Sequence, residues 1–328
     1  MAGSGNAHLR GSDMVLRAEN VNVEFNIGDK KIVRAVSGVS IDIAKGETLA
    51  VVGESGCGKS SLGKALLQLP KPTSGSVFLN GTDITALKGE KLRAVRPQMQ
   101  MIFQDPISSL DPRMTVRKII EQPLTVWSDL DEQGRSERVN ELLNSVGLDP
   151  TVVGSRRPYE FSGGQCQRIS IARALALNPS MLICDEPVSA LDVSVQAQIL
   201  NLLQDMKDKF ALTMMFISHD LGVVKTVSDR VMVMYLGKVC EIANPDTLYK
   251  SPRHHYTHAL VGSVPVADPT KKSLRAAIQG EPPSPMDPPS GCRFRTRCPA
   301  ATELCAAEEP QLREMGGGNY VACHHPRA

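Results

Sequence analysis

The chain has 328 residues, with 37 basic and 35 acidic side chains, and 41% of its residues are hydrophobic. This near-neutral balance is typical of a soluble globular protein and argues against a strongly basic nucleic-acid-binding surface. The longest apolar runs, 212–217 and 231–236, are strand-sized, far below the ~20 residues of a membrane-spanning helix. Residues 1–13 are small and polar, so we expect a disordered leader over 1–14 and no secretory signal.

Short β-branched runs alternate with helical patterns from about residue 16 to residue 239. This alternation predicts a mostly parallel sheet flanked by helices. In chain order, the predicted elements are a strand at 48–52, a helix at 59–69, a helix at 165–177, a strand at 181–184, an amphipathic helix around 195–206 and a strand at 213–218. Seven prolines between residues 265 and 289 indicate a linker or an extended tail.

A phosphate-binding motif directly follows the first of these strands. Residues 53–60 read Gly-Glu-Ser-Gly-Cys-Gly-Lys-Ser, which matches G-x-x-x-x-G-K-S/T between a predicted strand and a predicted helix. The glycines let successive backbone N–H groups face the phosphates, and the helix N-terminus adds its positive end. We expect Lys59 at the β- and γ-phosphates and the Ser60 hydroxyl at Mg²⁺. Cys57 occupies a free position of the motif, although a thiol at a helix N-terminus can have a lowered pKa.

A second glycine-rich turn opens the helix predicted at 165–177. Residues 162–165 read Ser-Gly-Gly-Gln, and such a turn at a helix N-terminus is another amide-rich anion site. Because the chain already has one phosphate-binding loop, the second turn suggests contact with a nucleotide that another chain holds.

Two acidic residues end the apolar strand predicted at 181–184. Asp185 is expected to hold Mg²⁺, commonly through water, and Glu186 to polarise the water that attacks the γ-phosphate. An apolar run that ends in Asp-Glu is more often structural when it stands alone. In a chain with a phosphate-binding loop, the catalytic interpretation is favoured.

The Ser-Gly-Gly-Gln turn resembles the signature motif of the ATP-binding cassette (ABC) family, with Phe161 in place of the usual leading leucine. The resemblance implies an α/β fold, the P-loop nucleotide-binding domain, with a RecA-like core sheet, an antiparallel β subdomain and an inserted helical subdomain. It also implies that two cassettes pair head to tail, so that each signature closes over the ATP of its partner.

Four further residues lie where the ABC family has functional side chains. Gln104 resembles the glutamine that contacts Mg²⁺ and couples to the membrane subunit, and His219 resembles the histidine that senses the γ-phosphate. Asp192 ends the Ser-Ala-Leu-Asp segment at 189–192, which resembles the loop that crosses the dimer interface, and Phe25 lies where an aromatic ring stacks on adenine. Each has an ordinary structural explanation when taken alone, but their joint order favours the family.

The resemblance therefore implies a complete set of site residues. The implied catalytic residues are Glu186, His219 and Gln104, and the implied Mg²⁺ ligands are Ser60, Gln104 and Asp185. The implied nucleotide contacts are Phe25, Gly53, Ser55, Gly56, Cys57, Gly58, Lys59, Ser60, Ser61, Asp185 and Asp192 for the chain's own ATP, and Ser162, Gly163, Gly164 and Gln165 for the partner's ATP.

A narrower resemblance covers roughly residues 15–326. Residues 162–168, 183–194 and 291–299 are similar to the F-type ATPase subunit of bacterial oligopeptide and dipeptide permeases. One departure is His-His-Tyr-Thr at 254–257, where that family usually has His-Pro-Tyr-Thr. The implied organisation is a disordered leader (1–14), an ABC ATPase domain (15–262) with its helical subdomain at about 105–178, and a proline-rich linker with a small Cys-rich C-terminal domain (263–328).

Four cysteines crowd into the tail, at Cys292, Cys298, Cys305 and Cys323. In the reducing compartment expected here, disulfides are the less favoured explanation. Zinc ribbons prefer Cys-x₂-Cys pairs, which are absent, so Zn²⁺ is the second choice. Four irregularly spaced thiolates can hold a 4Fe–4S cluster, and permease ATPases of this kind are similar in carrying one here. Free thiols are a third possibility, and His324 and His325 are alternative ligands.

The resemblance implies an ATP-hydrolysing subunit of an importer for oligopeptides or dipeptides, bound peripherally at the cytoplasmic face of the inner membrane. Its implied partners are a second and different ABC ATPase subunit, two transmembrane permease subunits and, through them, an extracytoplasmic solute-binding protein, with no nucleic acid. One alternative is a non-transport ABC ATPase of DNA repair, chromosome maintenance or translation, although only 102 residues separate Lys59 from Ser162, too few for a long coiled coil. Another is an importer for a different solute, such as nickel. A P-loop kinase would leave the Ser162 motif unexplained.

Overall fold

The structure is a computed structural model that describes residues 8–11, 14–28, 31–264 and 280–328. Contacts divide the chain into unit 1, residues 1–86 and 216–328, and unit 2, residues 87–215. Most of the predicted leader and much of the predicted linker, at residues 1–7, 12–13 and 265–279, lie outside the described residues.

The strands and helices have the following bounds. The strands are β1 (Met14–Asn26), β2 (Ile32–Ala44), β3 (Thr48–Val52), β4 (Ser74–Leu79), β5 (Thr82–Asp83), β6 (Met99–Ile102), β7 (Met181–Asp185), β8 (Thr213–Ser218), β9 (Arg230–Tyr235), β10 (Lys238–Ala243), β11 (Arg313–Glu314) and β12 (Tyr320–Val321). The helices are α1 (Lys59–Leu66), α2 (Gly89–Val95), α3 (Val116–Trp127), α4 (Glu132–Ser145), α5 (Pro150–Val153), α6 (Gly163–Ala174), α7 (Val193–Phe210), α8 (Leu221–Val227), α9 (Pro245–Lys250), α10 (His255–Gly262) and α11 (Glu303–Ala307).

Unit 1 contains an antiparallel sheet in the order β2-β1-β4-β5. In β1, Leu16, Ala18, Val21 and Val23 are buried, and the left-handed backbone of Asn20 lies where the register shifts. The shift keeps the apolar residues on the buried face on both sides of the irregularity.

A second sheet of unit 1 is mixed. The strand β3 pairs in parallel with β9, and β9, β10, β12 and β11 pair antiparallel in that order. All five residues of β3 are buried, which explains its uninterrupted apolar run. The C-terminal segment, residues 280–328, joins this sheet, because Val321 pairs with Glu241.

Unit 2 combines the parallel pair β6–β7 with helices α2 to α7. The helix α7 is one-sided, since Ile199, Leu202, Leu203 and Met206 are buried while most of its other face is exposed. Asp131 caps α4 by accepting a hydrogen bond from Gly134 N at 2.8 Å. Within the described ranges, no helix combines the length and the apolar character that crossing a bilayer requires.

A short part of the expected leader is packed against unit 1. His8 is 3% exposed and its Nε2 lies 2.7 Å from Ser40 O. Arg10 forms ion pairs with the buried carboxylates Asp42 and Glu47. The disorder expected over residues 1–14 therefore does not describe residues 8–11, because His8 is buried and Arg10 adds a second cation, beside Arg230, to these buried carboxylates.

Candidate nucleotide-binding site

The phosphate-binding loop connects β3 to α1 in unit 1, as the sequence predicts. A Cβ at Gly53 would lie 2.1 Å from Met234 O, and a Cβ at Gly58 would lie 2.0 Å from Ala35 O. Both glycines, and Gly56 between them, have a positive φ. The loop is thus pressed against neighbouring backbone, and no other residue fits at Gly53 or Gly58.

The lysine of this loop is almost fully buried, with Lys59 4% exposed. Its Nζ donates hydrogen bonds to Gly53 O at 2.8 Å and to Glu54 O at 3.0 Å. The ammonium group therefore lies on the loop itself, where it could bind the phosphate oxygens of a nucleotide.

Cys57 is 4% exposed, and burial raises the pKa of its thiol even though Lys59 Nζ lies 3.8 Å from its Sγ. The lowered pKa suggested by its place at a helix N-terminus is therefore wrong. Desolvation of the thiolate outweighs the nearby positive charge.

Tyr256 contacts the loop, although the sequence pattern does not identify it as a site residue. Glu54 N donates a hydrogen bond to Tyr256 Oη at 2.8 Å, and Tyr256 is fully buried. The two residues are 202 positions apart, and no local pattern marks the tyrosine as a neighbour of the loop.

In unit 2, the acidic pair lies at the end of β7. Asp185 is 2% exposed, and Glu186 follows it with a left-handed φ of 46°. Gln104 Nε2 donates a hydrogen bond to Glu186 Oε2 at 3.1 Å. The structure thus brings together two predicted catalytic residues that are 82 positions apart.

The Ser-Gly-Gly-Gln turn begins α6, with Ser162 as its N-cap. Ser162 Oγ accepts a hydrogen bond from Gln165 N at 3.4 Å, and Gln165 Oε1 accepts one from Ser162 N at 3.1 Å. This reciprocal capping fixes the first turn of the helix. Ser162 is exposed and Gly163 is half-buried, so this turn is accessible from solvent, as the anion site predicted there requires.

Three further predicted residues lie at or next to the ends of helices and strands. In unit 1, His219 directly follows β8 and is exposed, and Phe25, in β1, is 37% exposed. In unit 2, Asp192 is the exposed N-cap of α7, and the adjacent Val193 is 82% exposed. All these side chains are accessible to a ligand or to a second protein.

The four tail cysteines lie close to one another in unit 1. Burial, together with the other three tail thiols, raises the pKa of Cys292 to about 11. Among the described residues, however, no three His, Cys, Asp or Glu side chains are arranged to hold a metal ion. The alternative ligands His324 and His325 contact Glu308 O and Thr302 Oγ1. A single-ion site is therefore not supported, and the predicted iron–sulfur cluster is not confirmed.

Two family models match the chain. The model described as ABC transporter matches residues 36–189, and the model described as oligopeptide/dipeptide transporter, C-terminal region, matches residues 240–305. The oligopeptide transport ATP-binding protein AppF of Bacillus subtilis is 52% identical over 301 residues, which cover 91% of this chain and 90% of AppF. OppF of Escherichia coli, which carries the same description, is 49% identical over 329 residues, which cover 97% and 98%.

Solved structures agree with this assignment. The ATP-binding cassette MJ0796, in a dimer bound to ADP and Pi, is 29% identical with a TM-score of 0.64 and matches 70% of this chain and 98% of its own. The protein cbiO1 from Clostridium perfringens, part of the ABC transporter complex cbiONQ, is 28% identical with a TM-score of 0.65 and matches 73% and 92%. The predicted P-loop fold with an antiparallel subdomain is confirmed. The sheet expected to be mostly parallel is mixed, and the predicted Cys-rich C-terminal domain is not confirmed. The chain belongs to the ABC transporter ATPases, in the group that contains the oligopeptide transport ATP-binding proteins.

Proposed function

We propose that this chain hydrolyses ATP to power the import of oligopeptides or dipeptides through a membrane complex. The observation that carries the proposal is that the similarity to oligopeptide transport proteins extends over nearly the whole chain and includes the C-terminal region found in that group. A non-transport ABC ATPase would leave this C-terminal match unexplained.

The proposed partners are a second, different ABC subunit, two transmembrane permease subunits and an extracytoplasmic solute-binding protein that delivers the peptide. This chain would bind the permeases at the cytoplasmic face of the membrane. Each ATP would lie between the phosphate-binding loop of one subunit and the Ser162 turn of the other. Support comes from the exposure of Ser162 and of Val193 and from the dimeric state of the similar cassette MJ0796.

Within one subunit, we assign phosphate binding to Lys59 and to the amides of the loop. When bound, Mg²⁺ would offset the phosphate charge, and Ser60, Asp185 and Gln104 would hold it. Glu186 would orient and polarise the attacking water. Phe25 would stack on adenine, and His219 would sense the γ-phosphate. Asp192 and Ser61 would make further contacts with the nucleotide.

The catalytic assignment is tested by Glu186→Gln. The amide keeps the shape of the side chain but does not accept a proton, so we expect phosphate release to fall by about 10²–10⁴-fold while a fluorescent ATP analogue still binds. Glu137→Gln is the matched control, because Glu137 lies exposed on α4 and contacts Gln133. Normal hydrolysis by Glu186→Gln rejects the assigned base, whereas a wild-type chain that fails to bind ATP rejects the whole function.

The transported solute is tested in the assembled complex. ATP hydrolysis should rise when a peptide-loaded binding protein is added to the complex in membranes. Labelled peptide should accumulate on the side of the membrane opposite the binding protein, where the ATPase subunits lie. Stimulation by nickel or another solute without any response to peptide would reject the substrate class. Recovery of the chain with ribosomes or DNA instead of membrane proteins would reject transport.

For Cys292, Cys298, Cys305 and Cys323, our proposal is a 4Fe–4S cluster. Its support is the sequence similarity and the effect of these thiols on one another's pKa. In a cluster each thiolate binds a different iron atom, so the thiols lie farther apart than the ligands of a single ion. Anaerobically purified protein should contain iron and acid-labile sulfide. Zinc without sulfide, or neither metal, rejects the cluster.

A further inference from the structure

The second residue of the phosphate-binding loop is paired with the C-terminal segment. Arg297 Nη1 donates a hydrogen bond to Glu54 Oε2 at 2.7 Å, and Arg297 Nη2 donates one to Glu54 Oε1 at 3.1 Å. The arginine side chain is 6% exposed and the glutamate side chain 25% exposed. A bidentate pair fixes the orientation of the carboxylate as well as its distance, and only arginine supplies this geometry.

The guanidinium group is itself held in place by aromatic residues. Arg297 Nη1 lies 3.3 Å from Tyr235 Oη, and the guanidinium carbon lies 5.8 Å from the centre of the Tyr235 ring. Phe294, three residues earlier and 2% exposed, packs edge-on against the same ring at 5.2 Å. The arginine is therefore positioned by a packed core and is not a mobile surface side chain.

The same core also holds the backbone of Glu54. The Tyr256 hydroxyl that accepts the hydrogen bond of Glu54 N belongs to a ring that lies 5.3 Å from Phe294. On the other side, Glu54 O accepts a hydrogen bond from Lys59 Nζ. A shift of Glu54 would thus displace an acceptor that orients the phosphate-binding lysine.

A second contact links the C-terminal segment to the loop. Arg293 donates hydrogen bonds to Leu236 O and to Ser37 Oγ, and Gly237 N, next to Leu236, donates one to Cys57 O at 2.8 Å. The C-terminal segment thus contacts the loop directly at Glu54, and it contacts indirectly, through the backbone at Leu236 and Gly237, the loop residue Cys57.

Charge gives the pairing a further consequence. Glu54 places a carboxylate within the loop that is proposed to bind a triphosphate, and two anions at close range repel each other. Arg297 neutralises this carboxylate. Without Arg297 the carboxylate would be free to move and would oppose the incoming phosphates.

We propose that Arg297 is a positioning residue that holds the phosphate-binding loop in its nucleotide-binding conformation through Glu54, so that the C-terminal segment sets the affinity of the chain for ATP. The inference rests on the proposed binding of ATP at this loop. Arg297 does not touch the nucleotide in this scheme. Its effect belongs to substrate binding and not to the chemical step.

The test uses the full chain with Arg297→Gln, Arg297→Lys, Glu54→Gln and the double variant Glu54→Gln/Arg297→Gln. Arg295→Gln is the matched control, because Arg295 lies on the same short turn, Arg295–Arg297, but donates to Ser290 O. Affinity for a fluorescent ATP analogue is measured on the chain, and KM and kcat are measured in the assembled complex. Thermal unfolding of each variant reports whether it is folded.

For Arg297→Gln we expect the Kd and the KM for ATP to rise about tenfold, since hydrogen bonds to charged groups are lost, while kcat changes less than about twofold. Arg297→Lys should recover part of the affinity, Glu54→Gln should lose less than Arg297→Gln, and Arg295→Gln should match the wild type. The double variant should bind ATP no more weakly than Arg297→Gln, because both changes remove one interaction.

Wild-type affinity in Arg297→Gln, or an equal loss in Arg295→Gln, overturns the inference. So does a double variant in which the two losses multiply, because Arg297 would then act independently of Glu54. If Arg297→Gln is unfolded, the comparison of Glu54→Gln with Arg297→Lys decides, since wild-type affinity in both rejects the pairing. A wild-type chain that does not bind ATP is a different result and rejects the proposed function.

Discussion

Gly164, the second residue of α6, has no room for a side chain. A Cβ at this position would lie 2.6 Å from Val195 Cγ1, whereas a Cβ at Gly163 would lie 3.4 Å from Leu191 Cδ2, an ordinary contact. The two adjacent glycines of the signature turn therefore differ in their surroundings. Gly164→Ala creates an overlap with the β-branched side chain of α7, and Gly163→Ala does not.

The expected magnitude follows from two opposing effects. Overpacking by a methyl group against a side chain with little rotamer freedom destabilises by about 1–3 kcal/mol. Alanine in a helix is more favourable than glycine by up to about 1 kcal/mol. For Gly164→Ala the sum is a net loss of about 1 kcal/mol, which corresponds to a fall of about 1–2 °C in Tm for a protein of this size. For Gly163→Ala only the favourable contribution remains, so its Tm should be unchanged or slightly higher.

Thermal unfolding of Gly164→Ala, Gly163→Ala, Val195→Ala and Gly164→Ala/Val195→Ala measures the effect. Val195→Ala removes the atom that the new Cβ would overlap, so the double variant should be more stable than the sum of the single changes indicates, by about 1 kcal/mol. Equal Tm values for the two glycine variants would refute the reasoning. So would additivity of Gly164→Ala and Val195→Ala, because the overlap would then not be with Val195.

Three further predictions concern stability and reactivity. Burial disfavours ionisation of Asp42, but Arg10 N and the Arg230 guanidinium hold the pKa of its carboxyl below the ordinary value of 3.8. The resulting stabilisation is present above about pH 4 and is lost as the pH falls through the folded pKa. Asp42→Asn should therefore lower the free energy of unfolding, measured by urea denaturation, by about 3 kcal/mol at pH 7 and by less at pH 3. The Cys57 thiol, buried and with a raised pKa, should resist iodoacetamide at pH 7.5 in the folded chain and react in urea, as followed by peptide mass spectrometry. Ala211 ends α7 in a left-handed conformation with φ 50°, so Ala211→Gly should raise the free energy of unfolding by about 0.5–1 kcal/mol, and a fall in stability would contradict that reasoning.

The buried strands could be predicted from the sequence to within one residue. The bounds of β3 and β8 match the predicted strands, because every residue of both strands is buried and an uninterrupted apolar run is the result. The end of α1 was predicted less well, at residue 69 instead of Leu66. Pro70 suggested the later end, but Gln68 already has a left-handed φ of 58°, a conformation that the pattern of apolar side chains does not encode.

The site shows the same division between local and distant information. The phosphate-binding loop is recognisable from the sequence because two of its positions accept only glycine. A side chain at Gly53 would overlap Met234 O and one at Gly58 would overlap Ala35 O, so both glycines are fixed members of the motif. The hydrogen bond between Gln104 and Glu186 spans 82 positions and the pair of Glu54 with Arg297 spans 243 positions. Such contacts depend on how distant elements are placed in space, and no local spacing rule in one sequence specifies them.

Glu54 shows why these distant contacts matter for function. Its position in the phosphate-binding motif admits any residue, so phosphate binding alone does not select a carboxylate there, and the charge of a carboxylate works against an anionic ligand. In this chain the carboxylate instead binds the C-terminal segment through Arg297. The position of the segment and the affinity for nucleotide are therefore coupled. If the segment were displaced, the Glu54 carboxylate would lose Arg297 and would weaken nucleotide binding. An event that loosens residues 292–298 should for this reason lower the affinity for ATP directly, because it breaks the ion pair between Arg297 and Glu54.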